Sequence, residues 1–154
     1  MLFGRRIDIY SKKRGAAGRL SNFTRRDFTF DGVRCRSIEG VLQSFKFESE
    51  SEQRIVCGLW GIQAKLAGEG RDWKTSQTLY WRGKSYLRDS GEYAALVSRL
   101  YMTAYDQDEQ LRRDVKKAAR RGVCHSIGGH DPKETVLTEE EFVGNLLMLS
   151  ELAE

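Results

Sequence analysis

The chain is poor in the residues that would assign it to a class outright. It holds a single proline, Pro132, no low-complexity tract and no internal repeat, so neither a solenoid nor a disordered arm is indicated. Its three cysteines, Cys35, Cys57 and Cys124, are an odd number at wide spacings without a Cys-x-x-Cys pair. That argues against both a disulfide framework and a structural zinc site and for free thiols in a reducing compartment. The two histidines, His125 and His130, have no obvious third metal ligand beside them in the sequence. Apolar runs are all short, and Met1-Leu2-Phe3-Gly4-Arg5-Arg6 lacks the long apolar stretch of a signal peptide. A soluble, cytoplasmic protein with no membrane partner is the expectation.

What is present fits one domain. A length of 154 residues suits a single unit spanning 1–154 that is large enough to bury most of its apolar side chains. A net charge of +4 and a pI near 9.0 favour an anionic, phosphate-bearing ligand, yet fall well short of a dedicated DNA coat.

The most informative stretch is Ser37 to Phe47. At 3.6 residues per turn, Glu39, Gln43 and Lys46 share one face and Ile38, Leu42 and Phe45 another. Ser37 is placed to cap this helix, which puts Glu39 in the first turn, where free N–H groups and the helix dipole favour its ionised form. The alternative is an ordinary amphipathic helix with a solvated polar row.

Around it, Arg6 to Tyr10 alternates like a half-buried strand, and Ser11 to Gly18 reads as a mobile loop with three adjacent cations. Ser21 and Asn22 follow, short side chains able to bond nearby backbone or to face a ligand. Phe28 to Cys35 reads as a hairpin turning on Asp31-Gly32, and Thr75 to Leu87 as a second turning on Arg82-Gly83. Trp73, Tyr80, Trp81 and Tyr86 near the second offer flat faces for a base or ribose, with core packing as the competing use. Glu50 to Leu66 reads as one helix with Ile55, Leu59, Ile62 and Leu66 on its buried stripe. Glu92 to Tyr105 and Asp108 to Arg121 read as two more, the second opened by Asp106 and stopped by Gly122. Arg112, Arg113, Lys116 and Lys117 on that second helix form a basic face able to track a nucleic-acid backbone. Val123 to Asp131 is a short strand entering a glycine-rich loop, where Gly128 and Gly129 free backbone N–H groups for a phosphate and Asp131 faces the same space. A last helix starts at Thr138, with Glu141 completing a capping box and Phe142, Leu146, Leu149 and Leu152 on its buried stripe. The sum is an α+β domain, mostly helical, with short strands and two β-hairpins.

The order of Ile9-Tyr10, Leu20-Ser21-Asn22-Phe23, Gly32, then Glu39, Gln43, Lys46 and Phe47 resembles the NADAR family, which includes YbiA-like N-glycosidases. The likeness extends more loosely through Ala64 to Gly68 and from His125 into Leu137-Thr138-Glu139. It implies a hydrolase that cleaves ribosyl C1′–N bonds in ADP-ribose linked to a nucleobase or in a riboflavin-pathway ribosylamino-pyrimidine phosphate. Glu39, Trp81 and Asp131 are the implied catalytic residues, with Trp73 in reserve for the indole. Ser21, Asn22, Gln43, Lys46, His125, Gly128 and Gly129 would bind substrate. No cofactor or metal is implied, and the partners are a phosphorylated ribosyl small molecule or ADP-ribosylated nucleic acid. The alternatives are a non-catalytic ADP-ribose or nucleotide module and a basic nucleic-acid binder. Gly40 stands where many members carry His, and Val41-Leu42 replaces Tyr-Phe.

Overall fold

A computed structural model describes residues 6–152. Strand β1 (Ile7–Asp8) pairs in parallel with β6 (Val123–Cys124), tying the start of the chain to its last third. Ile7 and Ile9 are buried there and Arg6 is exposed, the alternation expected of a strand with one wet face. The following segment is more ordered than its glycines imply. A turn at Ser11–Gly15 leads into α1 (Ala16–Arg19), and Lys13 Nζ donates to the Asp8 carbonyl at 2.8 Å.

Both hairpins form as expected. In β2 (Phe28–Phe30) and β3 (Val33–Cys35), Asp31 and Gly32 take φ of 49° and 78°; in β4 (Thr78–Trp81) and β5 (Lys84–Leu87), Arg82 and Gly83 take 50° and 85°. Two consecutive positive φ values make the turn whose twist matches that of the strands it joins. Phe28, Phe30, Val33 and Cys35 face the core, and Thr29 and Arg34 face out.

Ser37 caps α2 (Ile38–Ser44), its Oγ accepting the Gly40 N–H at 2.9 Å. The same hydroxyl donates to the Leu59 carbonyl at 2.7 Å, holding α2 against the chain after α3 (Glu50–Cys57). The contact is closer than a side chain would permit: a Cβ on Gly40 would lie 2.8 Å from the carbonyl oxygens of both Val56 and Leu59. Only glycine fits there, which explains the departure at this position from the His of the resembled family.

The single helix expected over 50–66 is two. It breaks at Gly58, and α4 (Gly61–Gly68) starts anew from Gly61 at φ 62°, whose N–H donates to the Phe23 carbonyl at 2.9 Å. The break rotates the expected stripe out of register: Ile55, Ile62 and Leu66 are exposed, while Gln53, Val56, Cys57 and Ala64 face inward.

Helix α5 (Gly91–Gln107) crosses the core with Tyr93, Leu96, Val97, Leu100 and Tyr101 buried. Asp108, not Asp106, caps α6 (Glu109–Arg121), because α5 runs on through Asp106 and Gln107 and Asp108 Oδ1 is left to accept the Leu111 N–H at 3.1 Å. Thr138 and Glu141 exchange the two bonds of a capping box at 2.8 and 3.1 Å ahead of α7 (Glu139–Leu152). Phe142, Leu146 and Leu149 are buried and Leu152 is exposed, because the stripe outruns the surface it covers.

Glu141 also receives both terminal nitrogens of the buried Arg88, at 2.5 and 3.1 Å. Arg88 Nε reaches the Thr135 carbonyl at 2.9 Å and the guanidinium lies 5.1 Å from the Tyr93 ring centre. Removing one member of such a pair strands the other's charge. Arg88→Ala should lower unfolding free energy by about 3 kcal/mol, read as a fall in the urea midpoint with an unchanged slope.

Candidate functional site

Glu39 sits in the first turn of α2, half-buried, its own N–H donating to the Asn22 carbonyl at 3.0 Å. Gln43 Nε2 donates to Glu39 Oε1 at 2.9 Å, the one-turn spacing expected for this face. The other end of the Gln43 amide, Oε1, is buried without a hydrogen-bond partner and rests against Gly68, where a Cβ would come within 1.8 Å of it. Lys46 completes the row and reaches the Gly68 carbonyl at 3.5 Å. Asn22 is held from behind, its Oδ1 accepting the buried Tyr101 hydroxyl at 2.7 Å. The polar face of α2 is therefore packed rather than a solvated stripe.

The electrostatics correct the expectation of a fixed anion. Burial pushes the Glu39 carboxyl up from the usual carboxylate range, and the Gln43 hydrogen bond and the charges of Lys46, Lys65 and His125 oppose that push without reversing it. Burial likewise lowers the Lys46 ammonium, with Glu39 opposing and Lys74 and Lys65 adding to the effect. Three lysines, Lys46, Lys65 and Lys74, thus share one field with Glu39 and its neighbours.

His125 lies within electrostatic reach of Glu39. Its Nδ1 is 2.7 Å from the Ile9 carbonyl, which can only accept, so Nδ1 donates there and Nε2 has no hydrogen-bond partner among the described residues. The ring packs edge-on against Phe142 at 5.3 Å, and it closes on Gly128, where a Cβ would come within 2.7 Å of Cδ2. Gly128 thus makes room for the ring, and its N–H is spent on the His125 carbonyl at 2.9 Å. The Gly129 carbonyl accepts the Glu139 N–H at 2.8 Å.

Other expected site residues stand elsewhere. Trp81 is 2% exposed, stacked on Phe30 at 5.2 Å, edge-on to Phe45 at 5.6 Å, and its indole N–H donates to Asp31 Oδ2 at 2.7 Å. Trp73 is 3% exposed and part of the same core. Neither presents an open face: burying an indole is a large hydrophobic gain, and for Trp81 the Asp31 carboxylate also satisfies its N–H. Asp131 is exposed and accepts the Lys133 N–H at 2.9 Å, shaping its own turn. Ser21 Oγ accepts the Phe23 N–H at 3.1 Å, likewise a local turn.

Sequence reasoning passed over Lys65 and Tyr101, which only the packing of α4 and α5 brings to Glu39. It also passed over the group of His130, Glu139 and Glu140, whose ligand atoms lie within 4.8 Å of one another. His130 Nδ1 is 2.5 Å from Glu140 Oε1 and its Nε2 3.3 Å from Glu139 Oε2, and the Glu140 contact raises the imidazole above its ordinary value. On the basic helix, Arg112 is spent on the Tyr105 and Asp106 carbonyls at 2.8 and 2.9 Å, and Arg113 pairs with Glu109 at 2.8 Å. No helix among the described residues is long and apolar enough to cross a membrane.

This architecture is that of a YbiA-like α+β domain: the structure matches the solution structure of the E. coli protein YbiA with a TM-score of 0.67 at 16% identity, over 99% of this chain and 86% of that one. The resemblance to NADAR proteins drawn from the motifs thus holds for the fold. By sequence, the chain belongs to the bacteriophage protein GP30.3 family, matched over residues 14–151. It is 33% identical over 147 residues to the uncharacterized 17.1 kDa protein in the Gp30-rIII intergenic region of Enterobacteria phage T4, covering 93% of this chain and 95% of that protein.

Two measurements test the geometry. Because the Glu39 carboxyl is raised in the folded state, folding favours its protonated form; the stability this contributes is present below the ordinary Glu value and is lost as pH rises through the raised one. Glu39→Gln should therefore raise the melting temperature by a few degrees at pH 8, and the gain should vanish near pH 4. Gly68→Ala should cost about 1–3 kcal/mol by overpacking, with the Gln43 amide displaced in the variant's structure.

Proposed function

We propose that the chain hydrolyses a ribosyl C1′–N bond in a phosphorylated, nucleoside-like substrate, most simply ADP-ribose joined to a nucleobase. The observation that carries the reading is the Glu39–Gln43–Lys46 row, held in a partly desolvated position beside Asn22, Lys65 and His125. Breaking such a bond places positive charge on C1′ and the ring oxygen and negative charge on the departing nitrogen. In the ionised form Glu39 stabilises the sugar cation and orients the attacking water, whose oxygen bonds to C1′ while its proton leaves toward the carboxylate. Desolvation strengthens that interaction, since a charge in a low-dielectric site acts further than one in water. Asn22 holds a ribose hydroxyl through its amide nitrogen, Gln43 steadies the Glu39 carboxylate, and the lysines hold the phosphate. His125, with Nδ1 pinned on Ile9, passes through Nε2 to the leaving nitrogen the proton that the water gave to Glu39, so the carboxylate is restored and the base departs neutral.

The buried indoles and the exposed Asp131 do not take part in this arrangement. The pyrimidine phosphate of riboflavin synthesis shares the same bond and the same phosphate, so the two substrate classes differ in what surrounds the base and not in what Glu39 does.

The test is a screen of ADP-ribosylated DNA, NAD and ribosylamino-pyrimidine phosphates with free base read by mass spectrometry and binding by thermal shift. Glu39→Gln should slow turnover on the order of a hundredfold or more while binding survives. Undiminished turnover in that variant would refute the assignment. Saturable binding with no base released by the wild-type protein would instead mark a non-catalytic ADP-ribose module.

A further inference from the structure

Away from Glu39, the outer face of the β2–β3 hairpin is lined with arginine. Arg34 and Arg36 are exposed, on alternate positions of one extended stretch, and border a cavity of about 470 Å³ together with Phe28, Thr29, Gly58 and Gln107. A second cavity of about 480 Å³ adjoins it through Asp27 and Gln107 and is bordered by Arg25. Arg19, Arg26 and Arg113 on that side are neutralised, pairing with Asp114, Asp108 and Glu109 at 2.8 to 2.9 Å. Arg34, Arg36 and the nearby Arg54 have no carboxylate partner among the described residues, and Arg25 meets Asp27 only at 3.6 Å.

The floor beneath these cations is rigid. The Gln107 amide bonds both the N–H and the carbonyl of Thr29 at 2.8 Å, closing the free edge of β2. Arg36 is fixed by its own backbone, its N–H on the Cys57 carbonyl and its carbonyl on the Arg26 N–H, each at 2.9 Å. Beside Arg25 stands Trp60, at 37% exposure the most open of the three indoles. Arg25 lies over its ring at 4.8 Å, a cation stacked on an indole that still meets solvent.

We infer that this face binds single-stranded nucleic acid, with Arg34, Arg36 and Arg25 on successive phosphates and an unpaired base stacked on Trp60. Unpaired guanidinium groups beside a flat aromatic surface match a strand whose charge and bases are both accessible. A duplex would withhold the base. An acidic peptide would leave the indole without a partner. The inference stands apart from the glycosidase reading, because it concerns binding of an unmodified strand by residues other than Glu39 and its neighbours, with no bond broken.

Fluorescence anisotropy with a labelled oligothymidine about a dozen nucleotides long tests it. Binding should weaken with added salt, and Arg34→Ala/Arg36→Ala should lower affinity roughly tenfold or more and reduce the log–log salt slope by about 1.4, at about 0.7 per lost contact. Strand binding should quench tryptophan emission, and Trp60→Phe should abolish the quenching, since Trp73 and Trp81 are buried. Lys116→Ala/Lys117→Ala on α6 should leave affinity within about twofold of wild type, well short of the factor a lost phosphate contact costs. Circular dichroism confirms that each variant is folded. No binding at low salt, an equal loss from the α6 pair, tighter binding of the matching duplex, or quenching that survives Trp60→Phe each overturns the proposal.

Discussion

The arrangement depends on how closely α2 approaches the turn behind it. Ser37 caps its own helix and at the same time donates to the Leu59 carbonyl, and Gly40 lets two carbonyl oxygens come to where a methyl group would have to sit. A short helix of seven residues gains little from propensity alone, so its position is set by these contacts and by the burial of Ile38, Val41, Leu42 and Phe45. From that seat, Gln43 is buried and Glu39 half-buried, so neither lies on a fully solvated row. A side chain at position 40 would push the helix away and release the polar row to solvent.

Two opposing influences then act on Glu39. The helix N-terminus and the surrounding cations favour its charge, and removal from water disfavours it, with the second the larger. Sequence periodicity carries the first influence and not the second, because desolvation depends on what α4, α5 and the loop after β6 place overhead. The consequence is a carboxyl less committed to ionisation than its position in the helix implies. Such tuning through burial is the usual way a protein fits a carboxylate for proton chemistry near neutral pH. The Gln43 amide shows the cost, one oxygen left buried and unpartnered against Gly68.

Elements governed by near neighbours were legible in advance: both type I′ hairpins, the Ser37 cap, the Thr138–Glu141 capping box and the stop at Gly122. Each depends on dihedrals or hydrogen bonds within a few residues, which residue type alone constrains strongly. The break between α3 and α4 was not legible. Its apolar residues keep a helical spacing across the gap, but the chain stops because Leu59 and Gly61 bond to Ser37 and Phe23, far off in sequence. The same cause turned Ile55, Ile62 and Leu66 outward. The indoles divided for a similar reason: Asp31 accepts the N–H of the buried Trp81, whereas Trp60 at the start of α4 has Arg25 over its ring and stays part-open.

The sequence by itself determined the local grammar of the chain: where it turns, where helices are capped, and that Glu39, Gln43 and Lys46 must share a face. Those outcomes follow from φ preferences, short-range hydrogen bonds and the helical period, all of which act between residues a few positions apart. Only the tertiary structure decided which faces are dry. That choice made Glu39 a desolvated acid, Trp81 a core residue and the Arg34–Arg36 face an open one, because burial is a property of the whole packed chain and no segment carries it alone.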